Sequence, residues 1–183
     1  MLPRKLSLLN AALAALVFAG ALTALPPKLP RPLADVSIDT PGAKRIRLID
    51  TKKDAKLRVI AILASTCDHC EETAIFLSRL ERNFRAKGLR VYGALVDEEA
   101  PQQLPKFLAK TKPSFPVGTL SQDNTRRVAD FGINDHPFVP ILLFVDASNV
   151  IRLQFNGDDP MMAAASAEKN VGNIVQGMLS NAK

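Results

Sequence analysis

The chain has 183 residues, of which 47% are hydrophobic and 23% are charged, and its formal net charge is +6. This composition is typical of a globular protein and excludes a disordered chain. The Lys/Arg pairs have no aromatic residues interleaved with them, so we expect a solvated basic surface and no nucleic-acid partner. The length predicts one domain of about 150 residues that follows an N-terminal leader.

Residues 1–25 have the pattern of a targeting segment. Arg4 and Lys5 form a positively charged end, and residues 6–25 are almost entirely apolar. A run of this length can just span a bilayer of about 30 Å, so the segment is predicted to be a signal peptide or a transmembrane anchor, with the uncleaved anchor favoured. The positive end should stay inside. The domain would then lie in the cell envelope, anchored to the inner membrane on its periplasmic or extracytoplasmic side, or free in the periplasm after cleavage.

Residues 26–35 are rich in proline and are predicted to form an extended linker. Residues 36–183 are predicted to form one α/β domain, because short apolar runs alternate with helical patterns. The first half should contain an edge strand at 43–50, a strand at 57–64 that is buried on both faces, a helix at 71–87 and a strand at 89–96. The second half should contain a helix from 100 to about 110 that is interrupted or starts late at Pro105, a helix that is capped by Ser121 or Asp123 and runs to 131, a hairpin of strands at 141–145 and 150–155, and a last helix from 157 to about 179.

The two cysteines of the chain, Cys67 and Cys70, are spaced C-x-x-C between the strand at 57–64 and the following helix. Cys67 should lie at the first turn of that helix, where unpaired backbone N–H groups and the helix dipole favour a thiolate. The thiolate is the attacking species in disulfide chemistry. We therefore predict Cys67 as the nucleophile and Cys70, one turn further on, as the resolving thiol.

Three neighbours, Thr66, Asp68 and His69, are predicted to support the two cysteines. A protonated His69 would favour the thiolate, whereas a negative charge on Asp68 raises a thiol pKa. A structural disulfide at this spacing would stabilise the fold little, since it closes a very small loop. A structural zinc site needs four nitrogen or sulfur ligands, and the chain has two histidines, His69 and His136. We therefore favour a redox-active pair and expect no metal and no cofactor.

The order of elements, with C-x-x-C after a central strand and a proline just before a later one, resembles the thioredoxin fold. It is most similar to the membrane-anchored TlpA/ResA-like thiol-disulfide oxidoreductases. The resemblance rests on residues 67–70, on Phe115-Pro116-Val117 and on the run 139–151. It implies a central mixed β-sheet flanked by helices, a cis Pro140 packed against the dithiol, and a Val139 whose backbone binds an extended substrate segment. It also implies a monomer that exchanges disulfides with the thiols or disulfides of exported proteins.

The sequence departs from this family at three positions. Thr66 stands in place of a tryptophan, Ala61 in place of a buried acid found in many thioredoxins, and Thr73 in place of a glutamate found in many ResA-like proteins. The histidine directly before the second cysteine is a feature that this sequence shares with DsbA-like oxidants. In those proteins, stabilisation of the thiolate makes the disulfide more oxidising. Reduction and oxidation of the partner protein are therefore both open.

Three other functions are alternatives. A copper(I)-binding assembly factor of the SCO-like type would use Cys67, Cys70 and His136 as ligands, although that family usually has C-x-x-x-C; we interpret His136 as a loop residue. A peroxiredoxin would have P-x-x-x-T-x-x-C, but Ile60 and Ala64 occupy the proline and threonine positions. A thioredoxin-like binding module with inert cysteines is the last alternative.

Overall fold

The computed structural model describes residues 28–51, 54–133, 135 and 137–182. The predicted hydrophobic helix at 1–25 lies outside the described residues, and so does His136. Within the described ranges, no helix is both long enough and apolar enough to cross a membrane.

A mixed sheet of eight strands forms the centre of the described structure, in the order β1-β8-β7-β4-β5-β6-β2-β3. The strands are β1 Arg31–Pro32, β2 Ser37–Thr40, β3 Lys44–Arg47, β4 Leu57–Leu63, β5 Leu89–Leu95, β6 Val117–Thr119, β7 Ile141–Asp146 and β8 Val150–Phe155. Strand β4 is parallel to β5 and antiparallel to β7. The predicted mixed sheet is therefore confirmed, and so is the edge position of the strand expected at 43–50.

Helices cover both sides of this sheet. They are α1 Asp68–Phe84, α2 Ala100–Thr111, α3 Gln122–Ala129 and α4 Ala167–Asn181, with short 3₁₀ turns at Arg85–Lys87 and Pro160–Met162. All seven residues of β4 are buried. Because side chains alternate along a strand, Val59 packs in the core beneath α1, α2 and α4, whereas Ile60 packs in the core beneath α3. The predicted α/β architecture, with a central strand buried on both faces, is confirmed.

The proline-rich linker predicted for 26–35 is part of the domain from Arg31 onward. Arg31 pairs with Ile151 of β8, and the Leu33 N–H donates to the Asn149 carbonyl at 2.8 Å. Leu33 is only 4% exposed. The prediction of a free spacer is wrong for these residues, because β8 would otherwise be an unpaired edge strand, and proline is tolerated at such an edge.

Several helix boundaries differ from the prediction. Helix α2 runs from Ala100 to Thr111 without interruption, although Pro105 lies in its interior and removes one backbone hydrogen bond. Helix α3 is capped by Ser121, as expected, but ends at Ala129 because Asp130 adopts a left-handed conformation with φ 57°. Helix α4 begins at Ala167, and only the short 3₁₀ turn forms in the stretch expected to open it.

Candidate redox site

The end of β4 and the start of α1 position the first cysteine. Strand β4 ends at Leu63, and Cys67 is the N-cap of α1, with extended backbone angles of φ −108° and ψ 113°. Its Sγ accepts a hydrogen bond from the backbone N–H of Cys70 at 3.1 Å. A sulfur that accepts such a bond at a helix N-terminus is stabilised in its thiolate form. The strand–turn–helix context predicted for the motif is therefore confirmed.

Cys67 and Cys70 form a disulfide, with their Cα atoms 5.1 Å apart. Cys70 is completely buried, and its Sγ accepts the backbone N–H of Ala64 at 3.4 Å. Cys67 is partly exposed. An incoming sulfur can therefore reach Cys67 but not Cys70.

Acidic and basic side chains compete at the N-terminus of α1. Glu71 forms an ion pair with Lys110 of α2, and the Nζ of Lys110 is also 4.0 Å from a carboxylate oxygen of Asp68. The hydrogen bond to Glu71 raises the pKa of Lys110 above its usual value. The side chain of Asp68 is 97% exposed, so its charge is strongly screened by water. Asp68 and Glu71 therefore offset only part of the positive charge at the N-terminus of α1.

The two other predicted supporting residues lie on either side of Cys67 in the sequence. Thr66 is exposed to solvent, whereas His69 is half-buried. The Nε2 atom of His69 is buried and has no hydrogen-bond partner among the described residues. A buried polar atom without a partner is costly, so this nitrogen is ready to accept or donate a hydrogen bond.

Sequence reasoning missed Asp97, which holds the loop before the cysteines. Both the backbone N–H and the hydroxyl of Ser65 donate to its carboxylate, each at 2.6 Å. The position of Asp97 directly after β5 is a signal that could have revealed its role. Because β4 and β5 are parallel neighbours, the residues that follow the two strands meet at one edge of the sheet.

The loop before β7 lies beside the cysteine loop. The Val139–Pro140 peptide bond is cis, as predicted, and Ile141 pairs with Ile62 near the end of β4. The Phe138 carbonyl accepts the Gly157 N–H at 2.7 Å, which ties this loop to the end of β8. Phe138 itself is 67% exposed. Direct packing of Pro140 against the two sulfurs stays a prediction.

A comparison of the chain with protein-family models gave a match. The family model described as "AhpC/TSA family" matches residues 30–154. The comparison with curated proteins gave no match.

Solved structures match over most of the chain. A protein proposed to be the thiol:disulfide interchange protein DsbE of Chlorobium tepidum has a TM-score of 0.67 and 18% identity, over 84% of this chain and 99% of that chain. A thioredoxin family thiol:disulfide interchange protein from Chlorobium tepidum TLS has a TM-score of 0.63 and 16% identity, over 83% and 98%. A secreted disulfide oxidoreductase of Mycobacterium tuberculosis, homologous to E. coli DsbE, has a TM-score of 0.56 and 15% identity, over 76% and 96%. These likenesses show a thioredoxin-like fold.

Proposed function

Since the chain belongs to the AhpC/TSA family, we propose that it is an exported thiol-disulfide oxidoreductase that exchanges disulfides with proteins of the cell envelope. The observation that carries this proposal is the Cys67–Cys70 disulfide at the N-terminus of α1, with Cys67 partly exposed and Cys70 buried. Several solved structures of the same fold are named as thiol:disulfide interchange proteins, which supports the same chemistry.

In the reducing direction, the Cys67 thiolate attacks one sulfur of a partner disulfide and expels the other sulfur as a thiolate. The Cys70 thiolate then attacks Cys67, which forms the internal disulfide and releases the second partner thiolate. The partner gains two electrons and the protein loses them. In the oxidising direction, a partner thiolate attacks Cys67 and Cys70 leaves as a thiolate. A second partner thiolate then closes the partner's disulfide and frees Cys67.

Both sulfurs accept a backbone N–H, which lowers the cost of each thiolate in these steps. We assign Val139 and Pro140 to partner binding, because they lie beside the end of β4, from which the cysteine loop departs. An extended partner segment would bind at Val139 through its backbone. The side chains of Thr66, Asp68 and His69 would tune the reactivity of the two cysteines. The first two are exposed and the third is half-buried.

The location proposed for the domain is the cell envelope, because a disulfide persists in an oxidising compartment. The apolar run at 6–25 supports export, and one structural relative is described as secreted. Exported proteins would then be the partners, and the leader would attach the domain to the membrane or be removed.

The decisive test traps the mixed disulfide. A Cys70→Ser variant should accumulate covalent adducts with its partners that dithiothreitol releases, because nothing resolves the bond on Cys67. A Cys67→Ser variant should form none, and a variant with both substitutions sets the background. Equal trapping by the Cys67→Ser and Cys70→Ser variants would contradict the assigned roles. A redox titration would show the direction: about −270 mV is typical of thioredoxin and about −120 mV of DsbA.

The copper(I) alternative has no observation in its favour. Within the described residues, no group of three His, Cys, Asp or Glu side chains could hold a metal ion. The histidine that this alternative needs, His136, lies outside them. Anaerobic titration of the reduced protein with copper(I), repeated with His136→Ala, would test it directly.

A further inference from the structure

A cavity of about 220 Å³ lies between the first turns of α1 and the segment that leads into α4. His69, Glu72, Ile75 and Arg79 line it from α1, and Ala164 and Glu168 line it from the opposite side. His69 stands between the two cysteines in the sequence, so one end of the cavity is near the turn that carries them. Its size suits one long side chain.

An ion pair holds the two walls of this cavity together. Arg79 donates from Nε and from a terminal nitrogen to the two carboxylate oxygens of Glu168, at 2.8 and 2.6 Å. Such a bidentate pair has a defined geometry. It also satisfies both charges, so neither Arg79 nor Glu168 is available as the main partner of a charged ligand.

Two other polar groups of the cavity have no partner among the residues that the structure describes. Glu72 is exposed, and no ion pair or hydrogen bond joins its carboxylate to another described residue. The buried Nε2 of His69 also has no partner in the described part of the chain. Ile75, which is 38% exposed, supplies an apolar part of the cavity lining.

An apolar wall and one exposed carboxylate match the chemistry of a basic side chain. Lysine and arginine can lay their aliphatic stems on apolar surface while the charged head reaches an acceptor. The charges in the lining, with a neutral His69, sum to −1, from Glu72, Glu168 and Arg79. An acidic side chain would find no free cation here.

We propose that this cavity is a substrate subsite that receives a lysine or arginine side chain close to the reacting cysteine of the partner protein. Glu72 accepts from the cationic head, and the stem packs on Ile75. This inference rests on the proposed function, because it describes how the exchanging partner is chosen. It predicts that partners carry a basic residue within a few positions of the cysteine that Cys67 attacks.

The test uses three peptides that differ at one position near a single cysteine, with lysine, glutamine or glutamate there. Each cysteine is blocked as a mixed disulfide with thionitrobenzoate, and release of the coloured thiolate by the reduced protein is followed. The variable position is scanned from two to four residues on either side. At the best of the scanned positions, we expect kcat/KM for the lysine peptide to be about three- to tenfold higher than for the glutamine peptide. This range corresponds to the interaction free energy of a partly exposed charge pair.

Glu72→Gln should bring the ratio of the lysine-peptide rate to the glutamine-peptide rate close to one. The ratio is the readout, because loss of a carboxylate near Cys67 can change the rates on all three peptides by a common factor. Glu98→Gln is the matched control, because it removes one exposed carboxylate at the same end of the sheet but outside the cavity. In the Glu98→Gln variant, the ratio of the lysine-peptide rate to the glutamine-peptide rate should stay at the wild-type value. Ala164→Leu fills the cavity from an exposed position, so it should lower the rate on the lysine peptide only.

A wild-type ratio near one, a preference for the glutamate peptide, or an unchanged ratio in Glu72→Gln would overturn the subsite while leaving disulfide exchange in place. A wild-type protein that releases thionitrobenzoate from none of the peptides would overturn the proposed function, and the subsite with it.

Discussion

The carboxylate of Asp97 accepts two hydrogen bonds from Ser65, one from the backbone N–H and one from the hydroxyl, and each is 2.6 Å long. Asp97 follows β5, and Ser65 lies between β4 and Cys67, so the pair ties the cysteine loop to the neighbouring strand. Ser65 is only 7% exposed. Water therefore cannot easily replace the carboxylate as its acceptor.

Asp97→Ala should destabilise the protein by about 1–3 kcal/mol, because it leaves two donors of a buried residue unsatisfied. It should also slow disulfide exchange at Cys67, because the loop that carries this residue loses its anchor. Urea unfolding and exchange with a model disulfide would measure both effects. Glu98→Ala, at an exposed neighbour, should change stability by less than about 0.5 kcal/mol. An unchanged exchange rate in folded Asp97→Ala would show that Asp97 does not position the loop.

Gly157 allows the Val139–Pro140 loop to approach the end of β8. A Cβ at Gly157 would lie 2.4 Å from the Val139 carbonyl oxygen and 2.7 Å from its carbon, and these are backbone atoms that cannot move aside cheaply. Gly157→Ala should therefore destabilise the protein by about 1–3 kcal/mol through overpacking and shift the loop that we assign to partner binding.

The matched control is Gly177→Ala in α4, where an added Cβ meets nothing within 4 Å. This change should stabilise the protein by about 0.5–1 kcal/mol, because alanine is a better helix former than glycine. Thermal unfolding and exchange rates of both variants would check the pair. Equal stability of the two variants would argue against the close approach at Gly157.

Arg58 in β4 is a buried arginine, with 1% of its surface exposed. It donates to the Leu48 carbonyl at 2.5 Å, to the Asp146 carbonyl at 3.0 Å and to Asn149 Oδ1 at 2.7 Å. Arg58→Met should cost about 3 kcal/mol or more, because it removes three hydrogen bonds made by a buried guanidinium, even though the Asp146 carbonyl and Asn149 Oδ1 each keep a bond from a backbone N–H. Arg45→Met breaks a surface pair with Asp39, in which the side chains are 73% and 61% exposed. That control should cost at most about 1 kcal/mol in urea unfolding, and a similar loss in both variants would contradict the role of Arg58.

Asp146 should contribute stability that depends on pH. Burial by itself would raise its pKa, but hydrogen bonds from the Val150 N–H, the Arg152 side chain and the Ser148 N–H outweigh it and hold the pKa below the ordinary value of 3.8. A carboxylate with a lowered folded-state pKa stabilises the fold fully above its unfolded pKa and loses that contribution as the pH falls through the folded value.

Asp146→Asn should therefore lower the free energy of unfolding most near neutral pH, and the two proteins should converge as the pH falls below about 4. Unfolding by urea at several pH values would measure the difference. Asp123→Asn, at a carboxylate whose side chain is 86% exposed, serves as the control and should show little change at any pH. A difference between wild type and Asp146→Asn that stays constant from neutral to acid would contradict the linkage.

The sequence by itself determined the elements that have strong local signals. The apolar run at 57–64 predicted a strand that is buried on both faces, and the helical spacing after Cys70 predicted α1. Gly88 has a left-handed conformation with φ 101° at the end of the 3₁₀ turn that follows α1, which is a position where glycine commonly ends a helix. The C-x-x-C spacing between these elements predicted the position of Cys67. Each of these features depends on residues a few positions apart, so periodicity and capping chemistry are sufficient to reveal it.

Only the tertiary structure decided the features that join distant parts of the chain. Strand β6 has only three residues, and it forms because it pairs with β5 on one side and with β2 on the other, neither of which lies next to it along the chain. Two further features also join residues that are far apart in the sequence. They are the hydrogen bonds between Ser65 and Asp97 and the cavity lined by His69 and Glu168. These contacts form only after the sheet order has brought separate loops to one edge, and no local pattern of residues contains that order.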